Sequence, residues 1–128
     1  MKNCFTIFVL SFSILGNAQR IEKVYDANWK ETTQANIRYY SVIVKKDSLW
    51  QRQNVYIPER TLQMQGSYKD STCKIKHGDF SYFHSNKNLQ ETGEYVNDKK
   101  EGIWLRFHSN KMLADSAFYI KGKIKGAK

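Results

Sequence analysis

Cysteine is scarce in this chain. Two occur in 128 residues, Cys4 and Cys73, and proline occurs once, at position 58. The first cysteine lies in a segment expected to be removed. Met1-Lys2-Asn3 is a short positive start, and Phe5 to Leu15 is apolar apart from Thr6, Ser11 and Ser13. Gly16-Asn17-Ala18 then places small residues at the −3 and −1 positions of a cut. This order of charge, apolar run and small residues is that of a secretory signal peptide. Residues 1–18 are therefore expected to be cleaved after Ala18, leaving a mature chain that starts at Gln19 and is exported, either periplasmic or secreted. One remaining cysteine closes no internal disulfide, so the fold must rest on its core, and Cys73 is a free thiol or an intermolecular link. The apolar run at 5–15 is too short to cross a bilayer, and no other apolar segment is longer.

Catalytic signatures are also missing. The sequence has no serine nucleophile elbow, no phosphate-cradling glycine loop and no HExxH pair. Acidic residues are outnumbered, with 12 Asp and Glu against 21 Lys and Arg, for a net charge of +9 that falls to +8 when Lys2 leaves with residues 1–18. A basic balance invites a nucleic-acid reading. Export argues against nucleic acid and towards anionic lipid, cell-wall polymer or an acidic protein. Lysines placed on turn tips for solubility explain the charge as well.

What the sequence does contain is a repeat. Gly78 to Tyr95 and Gly102 to Tyr119 align at an offset of 24 residues without a gap. Phe83-His84-Ser85-Asn86-Lys87 recurs unchanged as Phe107-His108-Ser109-Asn110-Lys111. Phe80 matches Trp104, Leu89 matches Leu113, Glu91 matches Asp115 and Tyr95 matches Tyr119, and a third copy begins at Gly126. A degenerate copy lies upstream at an offset of 27, with Tyr56, Leu62, Gly66 and Tyr68 matching Phe83, Leu89, Gly93 and Tyr95. Its three extra residues fall in the polar stretch from Lys69 to Lys74, which reads as an enlarged turn.

Each unit has the length of two strands and two turns, and alternation with aromatic enrichment is a strand signal. Ile103, Leu105 and Phe107 should face one way, and Trp104, Arg106 and His108 the other. Ser-Asn-Lys reads as the turn inside each hairpin, and Asn97 to Gly102 as the turn between hairpins. Upstream, Arg38 to Lys45 and Leu49 to Tyr56 read as strands joined at Asp47-Ser48, with Pro58 in the turn that follows. Thr32 to Asn36 could form one helical turn. The expected fold class is all-β: an antiparallel meander of tandem β-hairpin repeats, roughly eight strands in an open, elongated sheet. Residues 19–128 form one domain, with an irregular part at 19–55 and repeats at 56–128. Phe80, Phe83, Tyr95, Trp104, Phe107 and Tyr119 are the expected core.

The pattern Gly-x-(Trp/Phe)-x-x-(Phe/Tyr), Ser-Asn-Lys-x-Leu, (Gly/Ala)-x-Tyr resembles the MORN-variant repeat. The repeat-defining residues are Gly78, Phe80, Phe83, Asn86, Leu89, Gly93 and Tyr95 in one copy, and Gly102, Trp104, Phe107, Asn110, Leu113 and Tyr119 in the next. The family's turn is usually Asn-Gly, whereas Lys87 and Lys111 stand in place of that glycine here, and Ala117 replaces another. Tyr25-Asp26-Ala27-Asn28-Trp29-Lys30, with Ala35 and Arg38-Tyr39-Tyr40, resembles the leader of exported MORN-variant proteins. Similar leaders accompany TonB-type periplasmic proteins, and repeat proteins of this class are often labelled antitoxins. An exported chain fits a cytoplasmic antitoxin role poorly. The resemblance implies a protein-interaction or scaffolding module with no cofactor and brings no catalytic residue.

Two constellations could carry chemistry. His84 and His108 are repeat-equivalent and could meet a metal, although a zinc site needs three or four protein ligands. Glu91 and Asp115 could act as a carboxylate pair, as in a hydrolase, but a working pair needs environments that push its pKa values apart, and tandem copies offer no asymmetry. The reading that results is a non-enzymatic module for an unknown protein partner. The alternatives are a basic binder of anionic lipid or cell-wall polymer, and a hydrolase or metal-dependent enzyme.

Overall fold

A computed structural model describes residues 19–33 and 36–128. Residues 1–18, expected to be a signal peptide, lie outside the described residues, as do Gln34 and Ala35 of the suggested helical turn. Among the described residues, nine strands form a single antiparallel sheet in strictly sequential order. They are β1 (Arg20–Tyr25), β2 (Tyr39–Lys46), β3 (Leu49–Tyr56), β4 (Leu62–Tyr68), β5 (Gly78–Phe83), β6 (Leu89–Val96), β7 (Lys99–Phe107), β8 (Leu113–Ile120) and β9 (Lys123–Ala127). The all-β open meander follows the sequence reading. The sheet has one strand more than the roughly eight expected, and two of its strands had no assignment in the sequence reading. Arg20–Tyr25 pairs along its whole length with β2, and part of the lysine-rich C-terminal stretch, Lys123–Ala127, is a ninth strand paired with β8. Both are rich in charged or small residues, which hide a strand when hydrophobicity is the signal.

The hairpin turns explain the positions where lysine stands for glycine. Lys87 and Lys111 have φ of 80° and 79°. Each follows a β-turn closed from the N–H of the lysine to the carbonyl of His84 or His108. A register shift then follows at Tyr82/Phe83 and at Arg106/Phe107. This is a three-residue hairpin loop with a left-handed residue and a bulge. Between hairpins the turn is narrower than expected. Asn97 and Asp98 alone carry it, with φ of 49° and 71°. Gly102 (φ 76°) belongs to β7, where pairing with β6 shifts register between Thr92 and Glu94. The enlarged turn after β4 is organised by Asp70, whose carboxylate accepts from the N–H groups of Lys74 and Ile75.

In an antiparallel pair, opposed residues share a face, so the register sorts the core into two clusters on opposite sides of the sheet. Tyr40, Val42, Val44 and Val55 form one, with Val24, Ile57 and Leu62 against them. Met64, Tyr68, Phe80 and Trp104 form the other, flanked by Trp50, Tyr82, Tyr95, Tyr119 and Cys73. Phe80 and Trp104 are buried as expected, and Tyr95 and Tyr119 pack on them half-exposed. Phe83 and Phe107 are only half-buried and stand outside this cluster, because each lies three residues from Phe80 or Trp104 in its own strand and alternation turns it to the other face. Leu113 is exposed.

Candidate functional site

The second cluster is a row of interlocked rings. Tyr68 meets Phe80 edge-on at 5.3 Å, Phe80 meets Tyr95 at 5.0 Å, and Tyr95 meets Trp104 at 5.0 Å. Edge-to-face geometry sets the positive rim of one ring on the negative face of the next. Lysines close the row: Lys76 lies over Tyr95 at 5.5 Å, and Lys100 lies over Trp104 at 4.5 Å and Tyr119 at 5.1 Å. The Trp104 indole N–H donates to the carbonyl of Glu94 at 3.1 Å. These rings are spent on the fold. Cys73 is half-buried against them. Burial pushes its thiol pKa up despite the nearby Arg52 guanidinium, so the protonated, unreactive form is favoured.

His84 and His108 line one open groove of about 410 Å³ with Gln90, Glu91, Arg106, Phe107 and Ser109. The two repeat-equivalent histidines thus meet in one groove. The His84 ring is hydrogen-bonded to the carbonyl of Phe107 at 3.1 Å. Among the described residues, no three His, Cys, Asp or Glu side chains are placed to hold a metal ion. Glu91 pairs with Lys100 at 3.4 Å and Asp115 pairs with Arg106. His84 and Asn86 instead tie one hairpin to the next. The Asn86 side-chain amide donates to the carbonyl of Ser109 at 3.0 Å, and Asn88 donates to the same oxygen at 2.7 Å.

Arg52 was not singled out by sequence reasoning. Its guanidinium donates to Asn54 Oδ1 at 2.9 Å, to Ser41 Oγ at 3.0 Å and to the Tyr25 hydroxyl at 3.2 Å. It thereby joins β1, β2 and β3. Arg20, Arg38 and Arg106 each meet a carboxylate, while Arg52 meets none within ion-pair distance among the described residues. Together with Trp29, Tyr68 and Tyr82 it lines a shallow dish of about 310 Å³.

On the opposite face, β7 and β8 present apolar side chains to solvent. Ile103 and Phe118 are register partners, and they are 63% and 45% exposed. Ile120 follows on the same side and is also exposed. A groove of about 410 Å³ runs beside them, bounded by Ser116, Gly126 and Ala127. The alternation predicted that Ile103 and Trp104 face apart, but it did not say which side would be covered.

Charge is distributed by the topology. In a sequential antiparallel sheet, successive turns alternate between the two ends of the strands. The β2–β3, β4–β5, β6–β7 and β8–β9 turns therefore share one edge. Lys45 and Lys46 flank the first of these, Lys69, Lys74 and Lys76 lie in the second, Lys99 and Lys100 follow the third, and Lys121 and Lys123 border the fourth. The other edge carries Lys30, Arg60, Lys87 and Lys111 in its turns, and its Arg38 and Arg106 are ion-paired.

No family model, curated protein or solved structure matches the chain.

Proposed function

We propose that the chain is an exported, non-enzymatic repeat module of the MORN-variant kind that binds a partner protein through the outer face of β7 and β8. The observation that carries this reading is the exposed, register-paired Ile103 and Phe118, continued by Ile120. Contiguous apolar surface on a soluble chain is costly to leave in water, and a partner is the usual reason for retaining it. The surface is extended rather than concave, and its grooves are shallow, which suits a protein face better than a small substrate. The hydrogen bonds between successive hairpin tips hold that face in a fixed shape, which lowers the ordering cost of binding.

Affinity capture from native envelope extract tests the proposal, with the wild-type protein and an Ile103→Glu/Phe118→Glu variant as baits. One discrete protein retained at high salt by the wild type and lost by the variant supports it. The same proteins retained by both baits would sink it.

A further inference from the structure

We propose that the sheet edge carrying the β2–β3, β4–β5, β6–β7 and β8–β9 turns is a binding site for a linear phosphate polymer, one polymer strand running from turn to turn. This site is separate from the apolar face of β7 and β8 and does not depend on it.

Four features of the edge point this way. First, it concentrates lysine, and its cations are largely uncompensated. Lys45, Lys74, Lys99 and Lys121 are exposed and form no ion pair among the described residues. Second, several acids on the edge are turned inward to backbone amides. Asp70 accepts from Lys74 and Ile75, Asp98 accepts from the Lys76 N–H at 3.1 Å, and Glu101 accepts from the Lys121 N–H at 2.9 Å. They hold the turns rather than pair with the lysines, and the Lys45 ammonium lies over the Trp50 ring at 5.8 Å.

Third, the last three of these turns are locked to one another. The Asp98 N–H donates to the carbonyl of Lys76 at 2.7 Å, and one repeat later the Gly122 N–H donates to the carbonyl of Lys100 at 2.9 Å. Adjacent strands lie about 4.8 Å apart, so turns on one edge recur about every 10 Å and the four span about 29 Å. Fourth, an antiparallel sheet twists by roughly 20–25° per strand, so over six strand spacings the row winds through about 120–150°. A flat membrane can touch one or two such turns at once, whereas a flexible polymer can follow all four. Lysine, a compact point charge on a flexible stem, suits phosphate oxygens presented from varying angles.

The test measures binding of the purified protein to long-chain polyphosphate over a series of salt concentrations, beside orthophosphate and vesicles containing anionic phospholipid. The edge variant is Lys45→Gln/Lys74→Gln/Lys99→Gln/Lys121→Gln, and the control is Lys30→Gln/Lys87→Gln/Lys111→Gln on the opposite edge, with far-UV circular dichroism confirming that both fold. The wild type is expected to bind polyphosphate and not orthophosphate. The edge variant should lose at least about tenfold in affinity, and its slope of log affinity against log salt should shrink by about 3, at roughly 0.7 for each phosphate that a lysine no longer neutralises. The opposite-edge variant and Ile103→Glu/Phe118→Glu should bind as the wild type does. Equal loss in both lysine variants, tighter binding to vesicles than to polyphosphate, or no binding to polyphosphate at low salt would each overturn the proposal.

Discussion

The indole of Trp104 lies directly on Gly93, so that a Cβ built at position 93 would overlap the ring. Phe80 covers Gly66 in the same way one unit earlier. The recurring glycine of the repeat is thus the floor on which the next strand's aromatic ring rests, and it is needed for space. At the equivalent position 117, an alanine is accommodated: its register partner on β7 is Trp104 itself, and on β9 it is the small Ala127. We expect Gly93→Ala to destabilise the protein by about 1–3 kcal/mol, the usual cost of overpacking, and Trp104→Ala by about 3–5 kcal/mol. In a double-mutant cycle by urea unfolding, Gly93→Ala should cost far less in the Trp104→Ala background. Additive costs would show that ring and glycine do not interact.

The lysines in the hairpin turns carry a backbone penalty. Non-glycine residues at positive φ are disfavoured by about 1–2 kcal/mol, and part of that is recovered when glycine replaces them, offset by its greater freedom in the unfolded chain. Lys87→Gly and Lys111→Gly are each expected to raise stability by about 0.5–1 kcal/mol, read as a higher midpoint of thermal unfolding. A lowered midpoint in both would mean that the lysine side chains supply an interaction that offsets the strain.

Arg52 ties together the three strands that the repeat does not include. Removing its guanidinium takes one donor each from Ser41 Oγ and Asn54 Oδ1, both buried, and leaves them the hydrogen bond from the Ser41 hydroxyl to Asn54 Oδ1. Hydrogen bonds to a charged group contribute about 1.5–3 kcal/mol, so Arg52→Ala should destabilise by about that amount. Arg52→Lys should restore little of it, because a single ammonium does not reproduce the planar fork that reaches Asn54, Ser41 and Tyr25. Full stability of Arg52→Lys by urea unfolding would refute this account of the site.

Buried phenols set an alkaline limit. Burial lifts Tyr68 from its ordinary pKa of 10 to about 12, and burial together with the hydrogen bond to Glu22 does the same for Tyr40. Tyr82 is pushed up further by burial. Below pH 10 these groups are protonated in both folded and unfolded chains, and their contribution to stability is fully present. Between pH 10 and 12 the unfolded chain loses protons that the folded chain retains, so stability falls as pH rises, by about 2–3 kcal/mol for each such ring. Stability measured by urea unfolding should therefore decline from pH 10 to 12, with phenolate absorbance from these rings rising only as the protein unfolds. Phenolate absorbance growing fully at pH 10 in a protein that remains folded would contradict it.

Much of the sheet was legible from residues alone, because a repeat at a fixed offset transmits strand, turn and register together. Leu49–Tyr56 and the Asp47-Ser48 turn were readable from alternation and turn chemistry. β1 was not, since Arg20-Ile-Glu-Lys-Val-Tyr carries few apolar residues and gains its place from pairing with β2. The functional surface was less legible. Periodicity separates Ile103 from Trp104 and the repeat placed Trp104 in the core, but the exposure of Ile103 on the other face was not announced by the sequence. Likewise, the repeated histidines suggested ligands by their spacing, while the bond from the His84 ring to the Phe107 carbonyl is a contact between hairpins that no local pattern announces. The lysines were counted correctly as a total, but their gathering on one edge follows from strand order.

The most direct test of the proposed binding face is site-specific photo-crosslinking in intact cells, with a benzophenone side chain in place of Phe118 and, as a control, in place of Lys30 on the far side of the first hairpin. We predict one discrete protein adduct from position 118 and none from position 30. No adduct from position 118, or the same adducts from both positions, would contradict the reading of β7 and β8 as a docking face.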